Sequence, residues 1–127
     1  MKKYKEVLLI SEDEGDKKIL TDALKVVSPF SCTVSTDDAH CGLEYLTDLN
    51  KPFPDLIFLD RNMQAMDGKE CRKKIRSLSY LGHIPIIMYT TSTLAIKARD
   101  FVANGEPRLE DNSSAFIMLC EDLKMVI

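Results

Sequence analysis

Four short apolar runs recur along the chain, at residues 7–10, 56–59, 84–89 and 115–119. Runs of this length without alternation suit strands buried on both faces, the pattern of a parallel sheet covered by helices. Residues 30–35 alternate instead, which predicts a half-exposed edge strand. Between the runs the spacing turns helical. Ile19, Leu20, Ala23, Leu24 and Val27 fall on one face of a helix starting near Glu14, and Leu43 and Leu46 do the same after Asp37 or Asp38. Cys71, Ile75 and Leu78 follow i, i+4, i+7 spacing in a helix after Gly68. Lys69, Arg72, Lys73, Lys74 and Arg76 give that helix a basic outer surface, read first as a solvated face. Leu94, Ile96, Ala98, Phe101 and Val102 predict a fourth helix, opened by a Ser or Thr cap at 91–93 and closed near Asn104 and Gly105. Residues 121–127 leave room for at most two further turns. Strand and helix alternate throughout, so the expected fold is a doubly wound α/β sandwich with a five-stranded parallel sheet, helices on both faces and right-handed crossovers.

Composition narrows the function classes. At 127 residues, 45% hydrophobic and 29% charged, the chain fits one globular domain over 1–127. A net charge of -3 gives no overall field to attract nucleic acid or a membrane surface, so neither is expected as a direct partner. The N-terminal apolar stretch is too short for a signal-peptide core or a membrane span. Cys32, Cys41, Cys71 and Cys120 are scattered, without metal-ligand spacing, and read as reduced thiols in a cytoplasmic protein.

Ligands of open α/β sheets bind outside the carboxyl ends of the strands. Three polar groups stand there: Ser11-Glu12-Asp13-Glu14 after the first run, Asp60 after the third, and Thr90-Thr91-Ser92 after the fourth. Carboxylates gathered on one rim repel unless a cation offsets them, and a small set of hard oxygens suits Mg²⁺, which completes its shell with water and phosphate oxygens. An aspartate beside such an ion can attack phosphorus. Asp60 alone would read as a helix cap. Together with Glu12, Asp13 and Thr90 at the same strand ends, it reads as a nucleophile.

The stretch PDLIFLDRNMQAMDG at 54–68, followed by HIPIIMYTTS at 83–92, resembles the receiver domain of two-component response regulators, and the resemblance extends over nearly the whole chain. It implies the flavodoxin-like strand order 2-1-3-4-5, which comes with the family. It further implies Asp60 as phosphoacceptor, Glu12 and Asp60 as Mg²⁺ ligands with the backbone carbonyl of Asn62, Thr90 as the hydroxyl that senses the phosphoryl group, and Phe116 as the aromatic switch position. Gly68 matches the family's tight turn. The implied partner is a histidine kinase or phosphotransfer protein, and the implied output is a switched protein-binding surface. No output domain is expected in this sequence.

The sequence departs from the family pattern in several places. The usual acidic pair reads Ser11-Glu12, with Asp13 as a neighbouring carboxylate that compensates in part. Gln64 replaces a common proline. Leu119 and Cys120 stand where the family has Lys-Pro, and loss of that lysine is expected to remove a few kcal/mol of stabilisation, about a hundredfold in rate. Residues 106–112 read as an insertion that alters the surface of the fourth helix and fifth strand. The alternative within the family is a pseudo-receiver that binds partners without phosphorylation. Two further classes compete less well. A haloacid-dehalogenase-type phosphatase wants Asp-x-Asp, and the third position here is Asn62. A flavin carrier wants a phosphate loop, and the acidic run at 11–14 would repel the phosphate.

Overall fold

The computed structural model describes residues 5–89, 123 and 124. Within them the order is β1 (Glu6–Ile10), α1 (Glu14–Val27), β2 (Cys32–Thr36), α2 (Ala39–Thr47), β3 (Leu56–Asp60), α3 (Gly68–Ser77), a single 3₁₀ turn (Ser79–Leu81) and β4 (Ile86–Tyr89). The strands form one parallel sheet in the order β2-β1-β3-β4. β2 lies at the edge, as its alternating pattern predicts, and β3 is central, with all five residues buried. The expected fourth helix, the fifth strand and the insertion at 106–112 lie outside the described residues, as do Thr90, Phe116, Leu119 and Cys120.

Unalternating apolar runs follow from helices on both faces of the sheet. Successive side chains of a strand point to opposite sides. Leu8, Ile10, Ile57 and Leu59 therefore pack with Leu46, Cys71 and Ile75 on one side, while Val7, Leu9, Leu56 and Phe58 pack with Leu20, Ala23, Leu24 and Leu123 on the other. Burying each such side chain contributes about 1.5–3 kcal/mol, so the two half-cores hold the helices against the strands.

The helices α1, α2 and α3 each start on an aspartate that satisfies a free backbone N–H. Asp13 accepts from Asp16, Asp38 from Cys41 and Asp67 from Glu70. The fourth apolar run pairs only from Ile86 onward, because Pro85 has no N–H to give a ladder, although its carbonyl accepts from Ile57. In α1, Ile19 stays 39% exposed, and Asp16 and Lys17 take buried positions beside Leu20. Arg76 also departs from the solvated basic face: its Nη1 donates to the carbonyls of Gly82 at 3.0 Å and Ile84 at 2.7 Å, with a longer approach to Leu81, closing the turn that leads into β4. Among the described residues no helix is long and apolar enough to cross a membrane.

Candidate functional site

Strand register decides what meets at the carboxyl rim. Ile10 is the partner of Leu59 and Asp60 the partner of Tyr89. Ser11, one residue past β1, therefore stands in rank with Asp60 and Tyr89 across three neighbouring strands. All three continue the side-chain positions of Leu9, Phe58 and Ile87, on the α1 side of the sheet.

Asp60 is only 1% exposed, and a buried carboxylate needs hydrogen bonds to offset its lost hydration. One oxygen accepts the Asn62 backbone N–H at 2.9 Å, and the other accepts the Ser11 hydroxyl at 3.0 Å. Ser11, fully buried, in turn accepts the Asp13 N–H at 3.0 Å. Asp60 does not cap α3; that role falls to Asp67. Asp13 is drawn away from the rim's carboxylates in the same manner, since its Oδ1 accepts the Asp16 N–H at 2.8 Å as the cap of α1.

Glu12 reaches from the β1 loop to the loop after β3, where both its oxygens accept the Gln64 N–H at 3.1 Å. The β3 loop then folds back so tightly that a Cβ on Gly68 would lie 2.6 Å from both the Asp60 carbonyl oxygen and the Arg61 Cα. Only glycine fits that approach, and the Gly68 N–H donates to the Arg61 carbonyl at 3.0 Å. An open hollow beside the rim is lined by Arg61, Asn62, Met63, Gln64, Asp67 and Lys69.

Two further polar residues shape the site. Lys17 is almost wholly buried, yet its ammonium reaches the exposed carboxylates of Asp37, just past β2, and Glu14. Burial works against that charge, but hydrogen bonds and attraction from Asp37 and Glu14 outweigh it and hold the ammonium above its ordinary value. Tyr89 carries its hydroxyl fully buried, without a hydrogen-bond partner among the described residues. Burial drives the phenol far above its usual range. Ser11 is near enough to pull the other way, and the carboxylates of Asp60, Asp16 and Asp13 push it further up.

Ser11, Glu12, Asp60 and Asn62 thus come together as the sequence implies. Asp13 is occupied as a cap, and Thr90, Phe116 and Leu119 lie outside the described residues. Sequence reasoning marks Gln64 as a departure from the family but misses its bond to Glu12, and it misses Tyr89 and Lys17 outright. Of these two only Tyr89 carries a signal, as a polar tip ending an apolar strand. Among the described residues no group of three or more His, Cys, Asp or Glu side chains forms a metal cage. Asp60, Glu12 and the Asn62 backbone offer hard oxygens, the donor type that Mg²⁺ takes in small number while keeping several waters.

The chain is similar in sequence and in fold to known proteins. The response regulator receiver domain family matches residues 7–105. Response regulator Rcp1 of Synechocystis sp. is 28% identical over 92 residues, 69% of this chain and 63% of that protein, so the match spans under two thirds of the relative's length. Two solved structures share the fold. The phosphorylated cyanobacterial phytochrome response regulator RcpA has a TM-score of 0.71 at 23% identity, covering 98% of this chain and 91% of that one. The Mn²⁺-bound form of response regulator Rcp1 has a TM-score of 0.70 at 21% identity, covering 94% and 91%. This chain belongs to the response regulator receiver domain family of two-component signalling.

Proposed function

We propose that this receiver accepts a phosphoryl group on Asp60 from a phosphohistidine of a histidine kinase or phosphotransfer protein. The observation that carries the reading is a carboxylate 1% exposed at the carboxyl end of the central strand, held by the Ser11 hydroxyl and the Asn62 N–H. In the transfer, an Asp60 oxygen attacks phosphorus, the donor's P–N bond breaks, and the imidazole leaves with a proton taken from its surroundings. Glu12, Asp60 and the Asn62 carbonyl are the residues that would hold Mg²⁺. When bound, the ion screens the negative charge that otherwise keeps carboxylate and phosphoryl group apart. Ser11 and the Asn62 N–H fix the carboxylate's orientation beforehand, which lowers the reorganisation needed at the moment of transfer.

The family resemblance gives Thr90 and Phe116 the roles of phosphoryl contact and switch, adds a fifth strand at the β4 edge, and makes residues 1–127 one receiver domain. Ser11 and Leu119 then read as a paired change. A carboxylate and a lysine disappear together, so the formal charge of the site is conserved while its strongest cation is lost. Cys32, Cys41 and Cys71 are free thiols, which suits a cytoplasmic setting.

The pseudo-receiver remains the second reading, favoured by one observation: both rim carboxylates already have donors within the chain, Asp60 from Ser11 and Asn62, and Glu12 from Gln64. Incubation with an acyl phosphate and Mg²⁺, followed by intact mass measurement, separates the two. The proposal expects one phosphoryl adduct on the wild type and none on Asp60→Asn. An unmodified wild type leaves the pseudo-receiver.

A further inference from the structure

The hydroxyl of Tyr89 is buried at the carboxyl end of β4, in rank with Ser11 and Asp60, and meets no partner among the described residues. A phenylalanine would fill the same space without leaving a polar atom dry, so the hydroxyl has a cost in the free protein with no return there. The other donors on this rank are committed: Ser11 gives its proton to Asp60, and the Arg61 N–H goes to the Tyr89 carbonyl at 2.8 Å. The nearby Ser11 oxygen already accepts the Asp13 N–H and gives its proton to Asp60, so an anionic oxygen attached to Asp60 would supply the Tyr89 hydroxyl with an acceptor on the same face of the sheet.

We infer that the Tyr89 hydroxyl is a donor held in reserve for a phosphoryl oxygen on Asp60, a binding role that offsets part of the lysine absent at position 119. The inference rests on the reading of Asp60 as phosphoacceptor. Three features support it. A phenol carries its proton at neutral pH, so toward an anion it acts as a donor. Hydrogen bonds to charged oxygens are about twice as strong as neutral ones. The tyrosine backbone is fixed by the β3–β4 ladder, so little ordering remains when the acceptor arrives.

The test compares wild type and Tyr89→Phe with acetyl phosphate and Mg²⁺, following the adduct by intact mass, alongside thermal unfolding of the unmodified proteins. The expected result is adduct formation about tenfold slower in Tyr89→Phe, with an unmodified-state melting temperature equal to or above wild type. Fluoroberyllate, a tetrahedral stand-in for an aspartyl phosphoryl group, should red-shift a tyrosine band in the ultraviolet difference spectrum of the wild type and leave Tyr89→Phe unchanged. Equal rates in two proteins that both accept phosphate overturn the inference and leave Asp60 as phosphoacceptor. A lowered melting temperature in Tyr89→Phe, or no spectral shift in the wild type, also overturns it. A wild type that takes up no phosphate overturns both readings.

Discussion

Replacing Ser11 with aspartate restores the acidic pair of the family and tests how this rim balances its charge. Ser11 is fully buried and its hydroxyl lies 3.0 Å from Asp60. The substitution removes a donor to a charged oxygen, about 1.5–3 kcal/mol, and sets a second anion against the first. At a separation of about 4 Å and an effective dielectric near 20, the added repulsion is of order 4 kcal/mol before the side chains relax. A net loss of about 3–5 kcal/mol is expected without metal, lowering the melting temperature by roughly 10–20 °C in a domain of this size. Mg²⁺ should reverse much of it, since an ion at a hundred times its dissociation constant returns about 2.7 kcal/mol. Thermal unfolding of both proteins across a Mg²⁺ series is the assay, with NaCl at matched ionic strength as the control. The expectation is a steeper Mg²⁺ dependence in Ser11→Asp than in wild type. A variant as stable as wild type without metal, or equally insensitive to it, would refute the claim that Ser11 supports the Asp60 charge.

Three other predictions concern the frame around the site. Gly68→Ala puts a methyl group against the Asp60 carbonyl and Arg61 backbone, and should lose about 1–3 kcal/mol in urea unfolding. Arg76→Met leaves the Gly82 and Ile84 carbonyls without their guanidinium, with an expected loss of about 1–3 kcal/mol by the same measurement. The raised Lys17 value means that the folded state holds this proton more tightly than the unfolded state. Its stabilisation is therefore complete below the ordinary lysine value of 10.5 and lost as pH climbs through the folded value, so Lys17→Met should flatten the alkaline limb of a stability–pH curve while leaving its acid limb in place.

How far the sequence could be read depended on whether a residue's fate was set locally. β1 and β3 are legible because burial on both faces demands continuous apolar runs, and the helices are legible because Leu20, Leu24, Cys71 and Ile75 repeat at helical spacing. Ile19 misleads because one residue off the stripe on a helix rotates it by about 100°, to the border of the buried face. Lys17 is illegible for the opposite reason: its burial depends on Asp37, twenty residues away, which no periodicity reports. At the site, Asp60 and Glu12 are visible through their strand-end positions, and Asn62 only through the family resemblance. The Glu12–Gln64 bond and the unpartnered Tyr89 hydroxyl are not, because both depend on the distance between loops or strands remote in sequence.

Gln64 has one more consequence. Proline, common at this position in the family, has no amide proton, so the bond to Glu12 exists only because the residue was exchanged. Through that amide the free protein ties the loop after β1 to the loop after β3, fifty-two residues apart in sequence, so the spacing of the two loops beside Asp60 is set by a bond that a proline at this position would leave unmade.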